Sequence, residues 1–221
     1  MSETGDTGKN LVRRAPEVAG GVLRQLFEYA IDGMGALPSV KTSAAKALQS
    51  RGDRDAAVDF LLRQHVSYAS AQGFVTNLGG LATVAIALPT NLAGVAIVQI
   101  RMLAAIAHLR GYDIDDRRVR TALALAMLGE DEVRRQVAAG TLPSTPMGIA
   151  TAPVYDALLD RQISERVMGD LATKVGGKHL GVFIAKRIPL VGGGVGAAAD
   201  GYFTYVLGSY ARKEFVRRHR S

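Results

Sequence analysis

The longest stretch without a charged side chain runs from Gln64 to Ile100, 37 residues in a chain in which 21% of residues are charged. A bilayer would hide such a stretch from water, since about 18 uninterrupted apolar residues can form a transmembrane helix. Pro89 and Asn91 argue against a single span, because proline removes a helix donor and asparagine is costly in hydrocarbon. The sequence instead predicts a buried hairpin of two helices that meet at Pro89, with Thr90 or Asn91 as the second N-cap.

A second apolar, glycine-rich segment surrounds Pro189 near the C-terminus. No part of the chain shows the strict apolar/polar alternation of a half-buried strand. The predicted fold class is therefore all-α, a single helical bundle with two glycine-rich apolar helical hairpins. We predict a flexible tail over residues 1–15 and one all-helical domain over 16–221, with a proline-rich surface linker at 140–153.

Local signals place several helix ends. Apolar spacing predicts a first helix over residues 16–34, ended by glycines, and a short helix over 42–50. The tripeptide at 51–53 is expected to form a loop in which Asp53 caps the following helix. A helix over 92–110 is apolar on nearly every side, so it is expected at the centre of the bundle. Asp115 or Asp116 is expected to cap the helix after it.

Charge is distributed unevenly along the chain. From residue 171 onward there are nine basic and two acidic residues, which accounts for the whole net charge of +7. Five basic residues form the predicted membrane-surface patch: Arg212, Lys213, Arg217, Arg218 and Arg220. Because aromatic residues precede them in an apolar segment, an anionic membrane surface is favoured over nucleic acid as the partner. A core helix with a solvated basic tail explains the same composition.

The chain has no cysteine, which fits a reducing compartment and excludes thiolate metal sites. Its polar N-terminus has no apolar core behind it, so it is not expected to be a secretory signal. We expect a cytoplasmic protein, with the inner face of the cell membrane as a peripheral location.

The chemical motifs are sparse. Residues 194–199 satisfy G-x-G-x-x-A, but Pro189 weakens the strand that a dinucleotide site needs, so close helix packing is the favoured interpretation. The sequence contains no H-E-x-x-H metal motif, no G-x-S-x-G elbow and no phosphate loop. His65 or His108 is expected to be a satisfied core residue. We therefore predict no catalytic residues, no metal and no cofactor.

Four blocks of sequence resemble the EcsC family of bacterial proteins. They occur in the family's order and cover most of the chain from about residue 60 onward: His65–Gly80, Leu88–His108, Arg110–Val119 and Lys186–Ala211. The resemblance implies a hydrophobic, helical protein with a membrane association, and it supplies no catalytic residues. Asp200 stands where the resemblance implies a more neutral polar residue.

These observations lead to a non-enzymatic protein that is peripherally membrane-associated or holds an apolar, lipid-like ligand. The polar groups predicted to line the pocket are Gln99, Arg101, His108 and Asp200. For Arg101 the favoured alternative is a side chain that reaches water or pairs with an aspartate of the next loop. The alternative function is a soluble helical interaction module that forms a homo-oligomer or a complex with a protein partner. A lipid-acting enzyme rests on pocket-like composition alone.

Overall fold

The computed structural model describes the backbone of residues 20–71, 90–185 and 192–218, and the side chains of 20–71, 93–173 and 198–218. Within these ranges the fold is all-α, as predicted. The first helix, α1, covers residues 20–32. The others are α2 (Val40–Arg51), α3 (Arg54–Ser70), α4 (Thr90–Leu109), α5 (Arg117–Ala126), α6 (Glu130–Ala138), α7 (Pro146–Ala150), α8 (Ala157–Ala185) and α9 (Gly192–Glu214).

Short polar residues and glycines set the helix ends. Gly33 follows α1 with a φ of 78°, and Gly52 ends α2 in the left-handed region with a φ of 73°. Asp53 caps α3 as predicted, because its Oδ1 accepts a hydrogen bond of 2.9 Å from the Ala56 amide. Of the two aspartates expected to cap α5, Asp116 is the one that does so.

Helix α4 is the centre of the packed core. Nearly all of its described side chains are buried, and it packs against α2, α3, α5 and α9. Helix α9 lies across α3 and α4, where Gly208 allows a close approach. A Cβ atom at Gly208 would lie 2.8 Å from the sulfur of Met102 and 3.1 Å from Cγ of Leu62. Small residues therefore permit tight helix packing at this crossing.

One sequence expectation changes in the structure. The segment 140–153 carries α7, in which Pro146, Ile149 and Ala150 are buried against α5, so it packs into the fold instead of crossing the surface as a linker. In agreement with the favoured helical interpretation, the run at 194–199 lies inside α9 and not at the turn between a strand and a helix. The turns of the two predicted hairpins, around Pro89 and Pro189, lie outside the described residues.

Candidate functional site

A cavity of about 620 Å³ lies between the end of α1, the loop that follows it, and helices α2 and α3. Its wall is largely apolar, and one side chain of the central helix α4 reaches it. The described lining residues are Tyr29, Met34, Ala36, Leu37, Pro38, Ser43, Lys46, Phe60, Leu61, Gln64, His65, Tyr68 and Arg101. Lys46 is exposed, which places it at the mouth.

Arg101 is the cation of this cavity, and it is 5% exposed. Its Nη1 donates to the carbonyl oxygen of Ala30 at 2.7 Å, and its Nη2 donates to that of Pro38 at 2.8 Å. Nη2 also donates to the Ser43 hydroxyl at 3.3 Å. All three acceptors are neutral, and no carboxylate pairs with this guanidinium among the described residues. Burial lowers the pKa of Arg101 from its usual value.

The favoured prediction for Arg101, contact with water or a loop aspartate, is therefore wrong. Ala30 lies in the last turn of α1, where carbonyl oxygens have no partner within the helix. The Pro38 carbonyl comes just before Ser39, the N-cap of α2. These backbone oxygens turn the guanidinium inward because they offer it hydrogen bonds that the apolar surroundings on α4 do not.

His65 is buried on α3 and faces the same cavity. Its Nδ1 lies 2.7 Å from the carbonyl oxygen of Leu61, which can only accept, so Nδ1 carries the proton. Burial is the largest influence and lowers the pKa of His65 to about 4. At neutral pH the ring is uncharged, and its Nε2 is left as an acceptor.

The hydroxyl group of Tyr29 is buried and lacks a hydrogen-bond partner within the described part of the chain. Tyr29 and Arg101 both line the cavity. Buried hydroxyl groups are usually satisfied, so an orphaned one at a cavity calls for an explanation. A bound molecule with an acceptor oxygen would supply one.

The cavity is therefore apolar in its body and positive in its charge. Arg101 and Lys46 are its charged lining residues, and no acidic side chain lines it among the residues described. Such a site can accept a molecule with an apolar body and an anionic group. In the described ranges, no cluster of three histidine, aspartate or glutamate side chains could hold a metal ion.

Of the four predicted pocket residues, Arg101 is the one that lines the cavity within the described chain. Gln99 instead donates from Nε2 to the Thr204 hydroxyl at 3.3 Å, which joins α4 to α9. His108 and Asp200 are half-buried, in the last turn of α4 and in α9, and each has an interaction of its own.

Sequence reasoning missed the lining roles of Tyr29, Ser43 and Tyr68. The prediction of a satisfied core residue is confirmed for His65, which is buried and bonded to Leu61, although it also lines the cavity. A signal for α3 was present. Leu61, His65 and Tyr68 follow one another at spacings of four and three residues, so they share one helix face. The polar aromatic side chains His65 and Tyr68 within an apolar stripe indicate that this helix face does not contact apolar side chains alone.

The predicted basic patch is partly neutralised. Arg212 pairs with Asp59 of α3 at 2.6 Å, and Lys213 lies 3.7 Å from Glu130 of α6. The Arg218 guanidinium stacks over the Tyr112 ring at 5.4 Å from its centroid. Arg217 is exposed, and Arg220 lies outside the described residues.

The outer face of α9 is apolar where a solvated helix is usually polar. Tyr202, Phe203 and Tyr205 are 65%, 62% and 53% exposed, and Val206 beside them is also exposed. Within the described part of the chain, no helix combines the length and the apolar character that a membrane span requires.

Fold and site together define a class of protein: an all-helical bundle with an apolar cavity and, in its wall, a buried guanidinium that no carboxylate of the described residues pairs with. The chain belongs to the EcsC protein family, whose model matches residues 17–219. That match covers the whole of the cavity. No curated protein and no solved structure matches the chain.

Proposed function

We propose that this protein binds an apolar, lipid-like molecule that carries an anionic group, and that it does so without catalysing a reaction. The observation that supports this proposal best is Arg101, a buried guanidinium that lines an apolar cavity and whose described hydrogen-bond acceptors are all neutral. An isolated buried charge is costly unless a counter-charge compensates it. An anionic group on the ligand would supply that counter-charge.

The shape of the site agrees with this function. A volume of about 620 Å³ falls in the range typical of small-molecule sites. Met34, Leu37, Phe60 and Leu61 offer apolar contact along the wall. The exposed ammonium group of Lys46 at the mouth would attract an anion from solution.

The test is binding of 1-anilinonaphthalene-8-sulfonate, an apolar probe with a single negative charge, to delipidated protein. We expect saturable binding at one site, and Arg101→Gln should weaken it by about tenfold or more, as for the loss of a charged hydrogen bond. Arg212→Gln is the matched control, because this arginine pairs with Asp59 away from the cavity. Far- and near-ultraviolet circular dichroism establishes that each variant is folded.

A second variant covers the case in which Arg101→Gln does not fold. Gln64→Trp adds bulk to a half-buried residue of the cavity wall without removing any hydrogen bond of Arg101. We expect it to exclude the probe from folded protein. Unchanged probe binding by folded Arg101→Gln and by Gln64→Trp would refute the cavity as the binding site.

A second function, peripheral association with an anionic membrane surface, is favoured by the outer face of α9. Tyrosine and phenylalanine side chains are favoured at the membrane interface, and basic residues follow them on the same helix. Co-sedimentation with anionic and neutral liposomes tests it, with Tyr202→Ser/Phe203→Ser as the variant. Salt-sensitive binding to anionic liposomes that the variant loses would support this role.

Absence of binding to both kinds of liposome would contradict the membrane role. If sedimentation velocity then showed a dimer that the same double variant dissociates, the outer face of α9 would be a protein interface. That outcome would favour the interaction-module alternative for this face, and it would leave the cavity proposal unaffected.

A further inference from the structure

We infer that the anionic group of the ligand is a carboxylate, held between the guanidinium of Arg101 and the hydroxyl group of Tyr29. This inference rests on the proposed function and adds to it the chemical class of the ligand, a long-chain carboxylic acid. Three properties of the cavity lead to it: the one buried charge among its described lining residues, the donors of Arg101 and Tyr29 that have no described partner, and the apolar wall beside them.

The charge of the cavity matches a monoanion. Arg101 is its buried cation, while Lys46 is exposed at the mouth. His65 adds no charge at neutral pH, because burial lowers its pKa to about 4. A phosphate monoester carries about −1.5 to −2 near pH 7, so Arg101 alone would leave part of that charge uncompensated away from water. A carboxylate carries one charge, which the guanidinium balances.

The free donors match two carboxylate oxygens. A guanidinium has five N–H donors, and three of those on Arg101 are used by Ala30, Pro38 and Ser43. Both donors of Nη2 are among the three, which leaves the Nε donor and one on Nη1. The hydroxyl group of Tyr29, a residue of the cavity wall, is a third donor without a described partner. A carboxylate accepts only, and its two oxygens have room for all three.

His65 adds to the preference for a carboxylate over a phosphate monoester. Its Nδ1 proton is donated to Leu61, so Nε2 presents a lone pair. This nitrogen would oppose a further anionic oxygen, such as the third oxygen of a phosphate monoester. Leu37, Phe60 and Leu61 line the same cavity and would contact a hydrocarbon chain that extends from the carboxylate.

The experiment compares four competitors with the same twelve-carbon chain: dodecanoate, methyl dodecanoate, dodecanol and dodecyl phosphate. Each displaces the fluorescent probe from full-length, delipidated protein at pH 7.5, below its micellar concentration. We expect dodecanoate to bind about tenfold or more tightly than methyl dodecanoate and dodecanol, since a hydrogen bond to a charged group is typically worth that factor. Dodecyl phosphate should also bind more weakly than dodecanoate, because Arg101 alone leaves part of its charge uncompensated.

Tyr29→Phe identifies the second contact. This variant removes a hydroxyl group without a partner, so it should fold at least as stably as the natural chain. We expect a loss of about tenfold in affinity for dodecanoate and no change for methyl dodecanoate. Tyr112→Phe is the matched control: its hydroxyl group is also buried without a described partner, but Tyr112 packs on Phe215, outside the cavity wall. Its affinities should not change.

The outcomes separate the two proposals. If dodecyl phosphate bound more tightly than dodecanoate, the carboxylate inference would be overturned while ligand binding stood. Equal dodecanoate affinities of Tyr29→Phe and Tyr112→Phe would overturn the role of Tyr29. If none of the four competitors displaced the probe, the proposed function itself would fail.

Discussion

The loop between α1 and α2 should be sensitive to one added methyl group at Gly33. A Cβ atom there would lie 2.3 Å from the carbonyl oxygen of Leu37 and 2.8 Å from the carbonyl carbon of Pro38. Gly35, two residues later, has the same left-handed backbone, with a φ of 59°, but no atom lies within 4 Å of the position that a Cβ atom would take there. Alanine variants at the two glycines therefore distinguish the cost of a left-handed backbone from the cost of steric overlap.

The magnitudes follow from that geometry. A left-handed L-residue costs about 1–2 kcal/mol, and replacing glycine returns about 0.4–1 kcal/mol through the unfolded chain. Gly35→Ala should therefore lower the free energy of unfolding by about 1 kcal/mol. Gly33→Ala adds the overlap with rigid backbone, and overpacking typically costs about 1–3 kcal/mol. We expect the two variants to differ by about 2 kcal/mol.

Urea unfolding followed by circular dichroism at 222 nm measures the difference. With a slope of about 2 kcal/mol per molar, the midpoints should lie about 1 M apart, with Gly33→Ala the lower. Because the Pro38 carbonyl oxygen accepts from Arg101, Gly33→Ala should also weaken probe binding in the cavity. Coincident midpoints at equal slopes would refute the claim that Gly33 is constrained by the loop that it faces.

Three further outcomes are expected. As the pH falls from about 6.5 to 4, the unfolded chain takes up a proton at His65 that the folded chain does not. The free energy of unfolding should therefore fall by about 1.4 kcal/mol per pH unit over this range. His65→Gln should remove that slope in urea titrations at several pH values. Gly208→Ala should lower the melting temperature through overlap with α4, whereas Gly169→Ala, at an exposed helix position with open space, should raise it. Asp59→Asn, which breaks the half-exposed pair with Arg212, should change the free energy of unfolding by less than about 1 kcal/mol at 0.15 M salt, and a larger change would contradict a surface role.

Helix positions were predictable because their signals are local. The helix expected over 92–110 is α4, Thr90–Leu109. It could be predicted because a continuous apolar run and a preceding proline lie within one short stretch of sequence. The cap at Asp53 and the central position of α4 followed in the same way. Each of these expectations needed only side chains within a few residues of one another.

The cavity was less predictable because its key contacts are distant and involve the backbone. Arg101 bonds to carbonyl oxygens 71 and 63 residues earlier in the chain. Every residue has such an oxygen, so no pattern of side chains reports which one is free. The partner of Arg212 lies 153 residues away, and a charge count cannot pair them. The charge count showed where along the chain the positive charge lies, but it did not show which acidic residues pair with it.

The three hydrogen bonds of Arg101 also bear on how the molecule opens. They join the end of α1, the entry to α2 and the middle of α4, so α1 cannot detach alone without stripping a buried cation of an acceptor. These three segments should therefore exchange their amide hydrogens as one cooperative unit. A molecule bound in the cavity would raise the free energy of that single opening step, and so would slow exchange in all three helices together.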